Sequence, residues 1–466
     1  MLLTSRKFTL IFLCCCLAIA STGCATYYQK MFRFQEHFAS GDIEEAARFL
    51  EKNKKAAKSK DRLLYFFSEG VVKQMLGEYE ESNAAFEEAY LFTEDYQKNY
   101  AVEFASFLTN PMIKPYRGED FEVVQIHYYK ALNFLRLGKL EEAMVECRRL
   151  DIKINQLNDR YSNRKNRYRR DAFVLNLMGI IFEAGGEINN AFVSYRNAYD
   201  AYREIYREYF GVSAPLQLKK DLLRTAYLNG FTEELAQYQN EFDLEYIPRK
   251  NSGGELVFFL NNGLGPVKSE WSINFFLVKG EGGSIIFVND EMDISVPFFL
   301  DGEDDATKLE DLKAVRITFP KYRERRPYYR QAEMRIDGKA YPLEVAQNLN
   351  EIAFKTLEDR MMREFGASLL RLAFKQAAEH VARKKNEGLG TLISLVNAIT
   401  EKADTRNWQT LPYDISYARI PLPEGENTVE LKSHAPDGGE FSEQFRFDIQ
   451  KGETVFYLYH TLESFP

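Results

Sequence analysis

One spacing recurs along the first half of the 466-residue chain and limits what it can fold into. A small residue is followed seven positions on by glycine, then by an apolar residue two further on, then by a small-large series at spacings of four and three. Gly70, Gly77, Tyr79, Ser82, Phe86 and Ala89 make one copy. Ala131, Gly138, Leu140, Ala143 and Cys147 make the second, and Gly179, Gly186, Ile188, Ala191, Tyr195 and Ala198 the third. Weaker copies surround Gly41 (Ile43, Ala46, Leu50) and Gly230. Spacings of three and four put residues on one helix face, and a glycine suits the left-handed position that ends a helix. The pattern therefore predicts helical hairpins in which the small residue admits the partner helix. From about 27 to 245, proline occurs only at Pro111, Pro115 and Pro215. Unequal gaps between the turn glycines mark insertions, of which PMIKPYRGED (111–120) is one.

This pattern resembles the tetratricopeptide repeat. The resemblance implies an all-α helical solenoid, and a solenoid predicts that the first helix of each pair lines a groove. The groove positions are Phe67, Val71 and Gln74, then Tyr128, Leu132 and Arg136, then Asn176, Ile180 and Glu183. An apolar groove with polar anchors suits an extended peptide or a partner helix. A groove filled by the chain's own segments is the alternative, and a plain packed helical bundle is the blander reading.

Before the helices, Arg6 and Lys7 precede an apolar run from Phe8 to Ala20. That is the layout of a signal peptide, too short to span a bilayer. Ala18-Ile19-Ala20 offers one cleavage site. Ser21-Thr22-Gly23-Cys24 resembles a bacterial lipobox, with Ser21 where Leu is usual, and implies an acyl anchor on Cys24. The absence of Asp after the cysteine points to the outer membrane. Cys14, Cys15 and Cys16 leave with the signal, so Cys147 has no disulfide partner and is expected in the core. The formal charge is -8, and an acidic exported chain is a poor nucleic-acid binder.

After Gly253-Gly254 the texture changes. ELVFFLNNG, SINFFLV, SIIFVND, LKAVRITFPKY and RQAEMRIDG read as strands. Helical periodicity returns from about 344 to 403, with Ile352, Leu357, Met361, Phe365, Leu369, Leu372 and Val381 on one stripe, and strands resume to the end. Pro423-Glu424-Gly425-Glu426 and Lys451-Gly452-Glu453 read as hairpin turns. The expected division is a signal peptide over 1–23, a helical domain over 24–248 and a β-sandwich-like domain over 249–466 with a helical insertion. The tail resembles the β-sandwich modules of bacterial envelope proteins.

G-x-S-x-G, H-E-x-x-H and P-loop motifs do not occur. The five histidines have no ligand spacing, so no metal or cofactor is expected. DGEDDATKLED (301–311) reads as a solvated acidic loop. NRKNRYRRD (163–171) and KYRERRPYYR (321–330) read as solvated basic stretches or contacts for anionic head groups. LGTLISLVNAIT reads as a short buried helix.

The segments YRGEDFEVVQIHYYKALNFLRLG (116–138), NNGLGPVK (261–268) and TEKADTRNWQTLPYDISYARIPLPEGENTVEL (400–431) resemble a family of bacterial lipoproteins with tetratricopeptide repeats and a C-terminal β region. The resemblance implies an envelope lipoprotein and supplies no reaction. Within it, Gly263, Gly265, Pro266 and Lys268 could join Asp404, Arg406 and Trp408 in one docking surface, or in a structural clasp. The sequence thus leads to the expectation of a non-enzymatic adaptor anchored in the outer membrane, with an envelope protein or peptide in the groove. An enzyme or activator acting on envelope polymers, or a glycan-binding lipoprotein with Trp408 or Trp271 as its platform, is the alternative.

Overall fold

The structure is a computed structural model. It describes residues 27–95, 111–161, 168, 170–248, 253–279, 284–289, 294–299, 314–361 and 403–465. Cys24 and the expected signal peptide, the acidic loop 301–311, most of the basic stretch 163–171 and the LGTLISLVNAIT segment lie outside the described residues.

A helical N-terminal part precedes a mainly-β C-terminal part. The helices are α1 (Tyr27–Ala39), α2 (Ile43–Lys52), α3 (Arg62–Met75), α4 (Tyr79–Glu94), α5 (Asp120–Arg136), α6 (Leu140–Tyr161), α7 (Ala172–Ala184), α8 (Ile188–Ala201), α9 (Leu216–Leu228) and α10 (Thr232–Phe242). Each packs against the next in chain order. Where α4 meets α3, a Cβ on Gly70 would stand 2.5 Å from the Phe86 ring, and on Gly179 it would stand 2.4 Å from Tyr195. The small residue of the recurring pattern is therefore a contact point between helices. Gly77 and Gly186 take positive φ of +77° and +76° at the turns, as helix-ending glycines do. Asp171 caps α7 by accepting from the Val174 N–H at 2.9 Å. Glu119 and Glu122 form a capping box at the start of α5. Cys147 is a buried free thiol, as expected.

Twelve strands follow among the described residues: β1 (Gly253–Asn262), β2 (Val267–Lys279), β3 (Ser284–Asn289), β4 (Ile294–Phe299), β5 (Ala314–Arg323), β6 (Gln331–Ile336), β7 (Lys339–Pro342), β8 (Glu344–Asn348), β9 (Asp414–Pro423), β10 (Gly425–His434), β11 (Glu440–Ile449) and β12 (Thr454–Thr461). They make three four-stranded sheets, ordered β12-β1-β9-β8, β11-β10-β6-β7 and β4-β3-β2-β5. The first two share a core of Leu256, Phe258 and Leu260 with Ile420, Leu431 and Phe445. Alternate residues of β1 point the other way. Val257 and Phe259 join the helical core, with the Phe259 ring 6.5 Å from Tyr128 and 6.3 Å from Phe173. A strand covered on both faces reads as the unbroken apolar run ELVFFL, not as an alternation.

Two local readings are corrected. Residues 344–348 form the edge strand β8, and the helix (α11) begins at 349 and runs to 361 among the described residues. The turns at 423–426 and 451–453 do not close hairpins. β9 and β10 lie in different sheets, as do β11 and β12, so each turn carries the chain across from one layer to the other. β12 instead lies parallel to β1.

Candidate functional site

The six polar and aromatic positions assigned to the groove share one helix face, and the chain's own β part covers that face. The Phe67 ring stacks on Trp408 with centroids 3.9 Å apart. Gln74 Oε1 meets His460 Nε2 at 2.9 Å. The Tyr128 hydroxyl donates to Asn261 Oδ1 at 2.8 Å. Arg136 donates to the Phe456 carbonyl at 3.3 Å and lies over the Tyr457 ring. Asn176 lies beside the Tyr417 hydroxyl, and Glu183 pairs with Arg419 at 2.7 Å. Five of the six meet β1, β9 or β12, and Phe67 meets the segment that leads into β9. The groove is thus filled by the chain itself, the alternative that the sequence left open.

The second predicted set is likewise brought together, and it is buried. The Gly265 N–H donates to the Leu411 carbonyl at 2.7 Å, and Asn407 Nδ2 donates to the Pro266 carbonyl at 2.8 Å. Gly263 has a φ of +63°, and a Cβ there would stand 2.7 Å from Pro327. Lys268 donates to the Arg406 carbonyl at 3.2 Å and pairs with Glu119. Arg406 is 1% exposed. It pairs with Asp404 at 2.7 Å and Asp61 at 2.9 Å, and donates to the Lys114 carbonyl at 3.0 Å. The Trp408 N–H donates to Glu122 at 2.7 Å, and its indole N–H donates to Thr410 at 2.7 Å. NNGLGPVK and ADTRNWQTLP therefore make a clasp that ties the β part to α3 and α5. They do not make an exposed docking surface, and Trp408 offers no platform to a sugar. Trp271 is half-buried beside Phe319, with Lys321 over its ring.

Sequence reasoning missed the carboxylates that answer these cations. Burial raises the Glu119 carboxyl, but Arg360 at 2.6 Å and Lys268 outweigh it and hold the pKa at about 2. Glu122 goes the other way. Burial and the adjacent Glu119 charge push it up to about 7, although it accepts from Trp408, Tyr116 and the Glu119 N–H. A second buried network joins the two parts further along. Arg419 meets Glu183, Asp221 at 3.4 Å and Glu255, while Arg224 reaches Glu183 and Asp221 at 2.6 Å each. The signal for Arg419 was an arginine inside the apolar strand ISYARIPL. The signal for Glu119 was the acidic pair opening α5.

Chemically, these clusters hold charge and do not expose it. Each carboxylate named faces a cation or several donors. Among the described residues, no group of three or more His, Cys, Asp or Glu is placed to hold a metal ion. Among the same residues, no helix is long and apolar enough to cross a membrane. A shallow cleft between α2 and α3, floored by Leu50 and Val72 and rimmed by Arg48, Glu51 and Lys73, lies away from both clusters.

No family model and no curated protein matches the chain. Among solved structures, the crystal structure of BtubC (BKLC) from P. vanneervenii is similar over 49% of this chain and 85% of that one, at 14% identity and a TM-score of 0.32. A likeness that slight carries no argument about this chain's fold or function.

Proposed function

We propose that this protein is a non-enzymatic scaffold of the bacterial cell envelope, held to the outer membrane by acylated Cys24 and built from tetratricopeptide-like helical hairpins closed by a β-sandwich-like domain. The observation that carries the reading is the clasp. The residues most suggestive of a site, Arg406, Trp408, Lys268 and the groove set, are spent on joining the two parts through buried ion pairs and stacking. A body joined in this way presents a fixed outer surface, which suits a platform better than an induced-fit enzyme. With the groove occupied, an envelope protein or peptide meets the outer helices. Exposed Val145 and Ile152 lie seven residues apart on one face of α6 and offer apolar contact there. Tethering raises the effective concentration of both partners at the membrane, so modest affinity suffices.

The test is expression of the full chain beside Cys24→Ala with radiolabelled palmitate, and with photo-crosslinkers at Val145 and Ile152. Label confined to Cys24 and a discrete crosslinked envelope protein are the expected results. An unlabelled, freely soluble wild type would remove the anchor. Hydrolysis of an envelope polymer by the purified protein would remove the scaffold.

A further inference from the structure

The net charge of the chain hides an asymmetry. Residues 27–62 hold nine Lys/Arg and six Asp/Glu, a net of +3 in a chain whose total is -8. The fold gathers most of that positive charge at one end. α1 and α2 form a hairpin through the turn at Gly41, whose φ is +81°. The end of α2 and the 3-10 turn Lys54–Lys58 therefore return to the level at which α1 starts. Lys52, Lys54, Lys55, Lys58 and Lys60 are all exposed there, and Lys30 is exposed in the first turn of α1. From 47 to 60 the only acid is Glu51, which pairs with Lys54. Asp61 is taken by Arg406. On the outer side of α1, Phe32 is 60% exposed between Lys30 and Arg33.

Cys24 stands three residues before Tyr27, where α1 begins. Three residues of extended chain span at most roughly 11 Å. An acylated Cys24 would hold this end of the hairpin, and not another surface, against the lipid head groups.

We propose that the lysine-rich end of the α1–α2 hairpin, with Lys52, Lys54, Lys55 and Lys58 at its centre, is a docking surface for an anionic phospholipid bilayer. The inference rests on the anchored reading for its geometry and on the charge pattern for its chemistry. A polybasic patch beside an acyl chain supplies the second signal that stable membrane attachment uses. It also fixes orientation. The acidic remainder of the chain is repelled by the same surface, so the helical array stands away from the membrane.

The test uses the mature chain with Cys24→Ala, so that no acyl group contributes. Cosedimentation is measured with vesicles of phosphatidylcholine alone and of phosphatidylcholine with phosphatidylglycerol, for this chain and for the same chain with Lys52, Lys54, Lys55 and Lys58 all changed to Gln. The expected result is binding to the anionic vesicles only, lost at high salt, and weakened at least roughly tenfold by the four substitutions. The thermal midpoint should not move, because all four side chains are exposed. Equal binding of the two chains, or equal binding to both vesicle types, would overturn the proposal. Palmitate labelling of the wild type reads the anchor independently. Absent label with retained anionic-vesicle binding would sink the anchor and leave the surface standing.

Discussion

Trp408→Ala tests whether the clasp couples the two parts. The indole is 2% exposed, stacked on Phe67 at 3.9 Å and within 5.9 Å of both Phe86 and Tyr129. Its backbone N–H bond to Glu122 survives the substitution, so the loss is that of the side chain. Removing a fully buried Trp leaves a cavity that closely packed neighbours fill only in part, at a cost of about 3–5 kcal/mol. That is about a third to three fifths of the 5–15 kcal/mol that holds a typical domain folded. The assay is urea denaturation followed by two probes. Far-UV circular dichroism reports mainly the helices, and the fluorescence of Trp271, the one tryptophan left, reports β2. In the parent the two transitions should coincide. In the variant both should move to lower urea together, because the lost contacts belong to both parts at once. A shift worth less than about 1 kcal/mol would refute the packing argument. A shift in one probe alone would refute the coupling.

Three further outcomes follow from the geometry. Glu122 keeps its proton more firmly in the native state than the ordinary carboxyl at 4.5, so its contribution to stability is full below that pH and is lost as pH rises toward about 7. Glu122→Gln should flatten that part of the denaturant-midpoint profile, and an unchanged slope would count against the assignment. Arg419→Ala leaves Asp221 and Glu183 buried with less compensation and should cost about 3–5 kcal/mol in equilibrium unfolding. Gly179→Ala drives a methyl group into the Tyr195 ring and should cost about 1–3 kcal/mol by thermal denaturation. A neutral effect there would mean that α7 and α8 can separate freely.

Local pattern carries the helices into view, because helix periodicity, turn glycines and small contact residues act within about twenty positions. The same periodicity picked out the correct face, since Phe67, Gln74, Tyr128, Arg136, Asn176 and Glu183 all turn toward one neighbour. It could not identify that neighbour, because Gln74 and His460 stand 386 positions apart. Arg406 reads in the sequence as part of a docking surface or of a clasp, and the clasp depends on Asp61, 345 positions away. β8 reads as helix in the sequence because EVAQN is short and adjoins a helical stretch. Pairing with β9 imposes the strand. The turns at 424 and 452 have hairpin chemistry but act as corners, since a turn's residues fix its bend and not the sheet its far strand joins.

The parallel pairing of β12 with β1 sets an order of events. Ribosomes make the helical part and β1 first, yet the clasp, β9 and β12, which complete the cover of its inner face, follow only from residue 403 onward. Through the making of the residues between β1 and the clasp, the part of that face carrying Phe67 and Gln74 lacks its partners Trp408 and His460, although β1 already meets Tyr128. A chain halted short of β12 would therefore carry an adhesive apolar surface, and any factor that escorts the nascent protein would find its handle there. Synthesis of β12 and concealment of that surface are the same step.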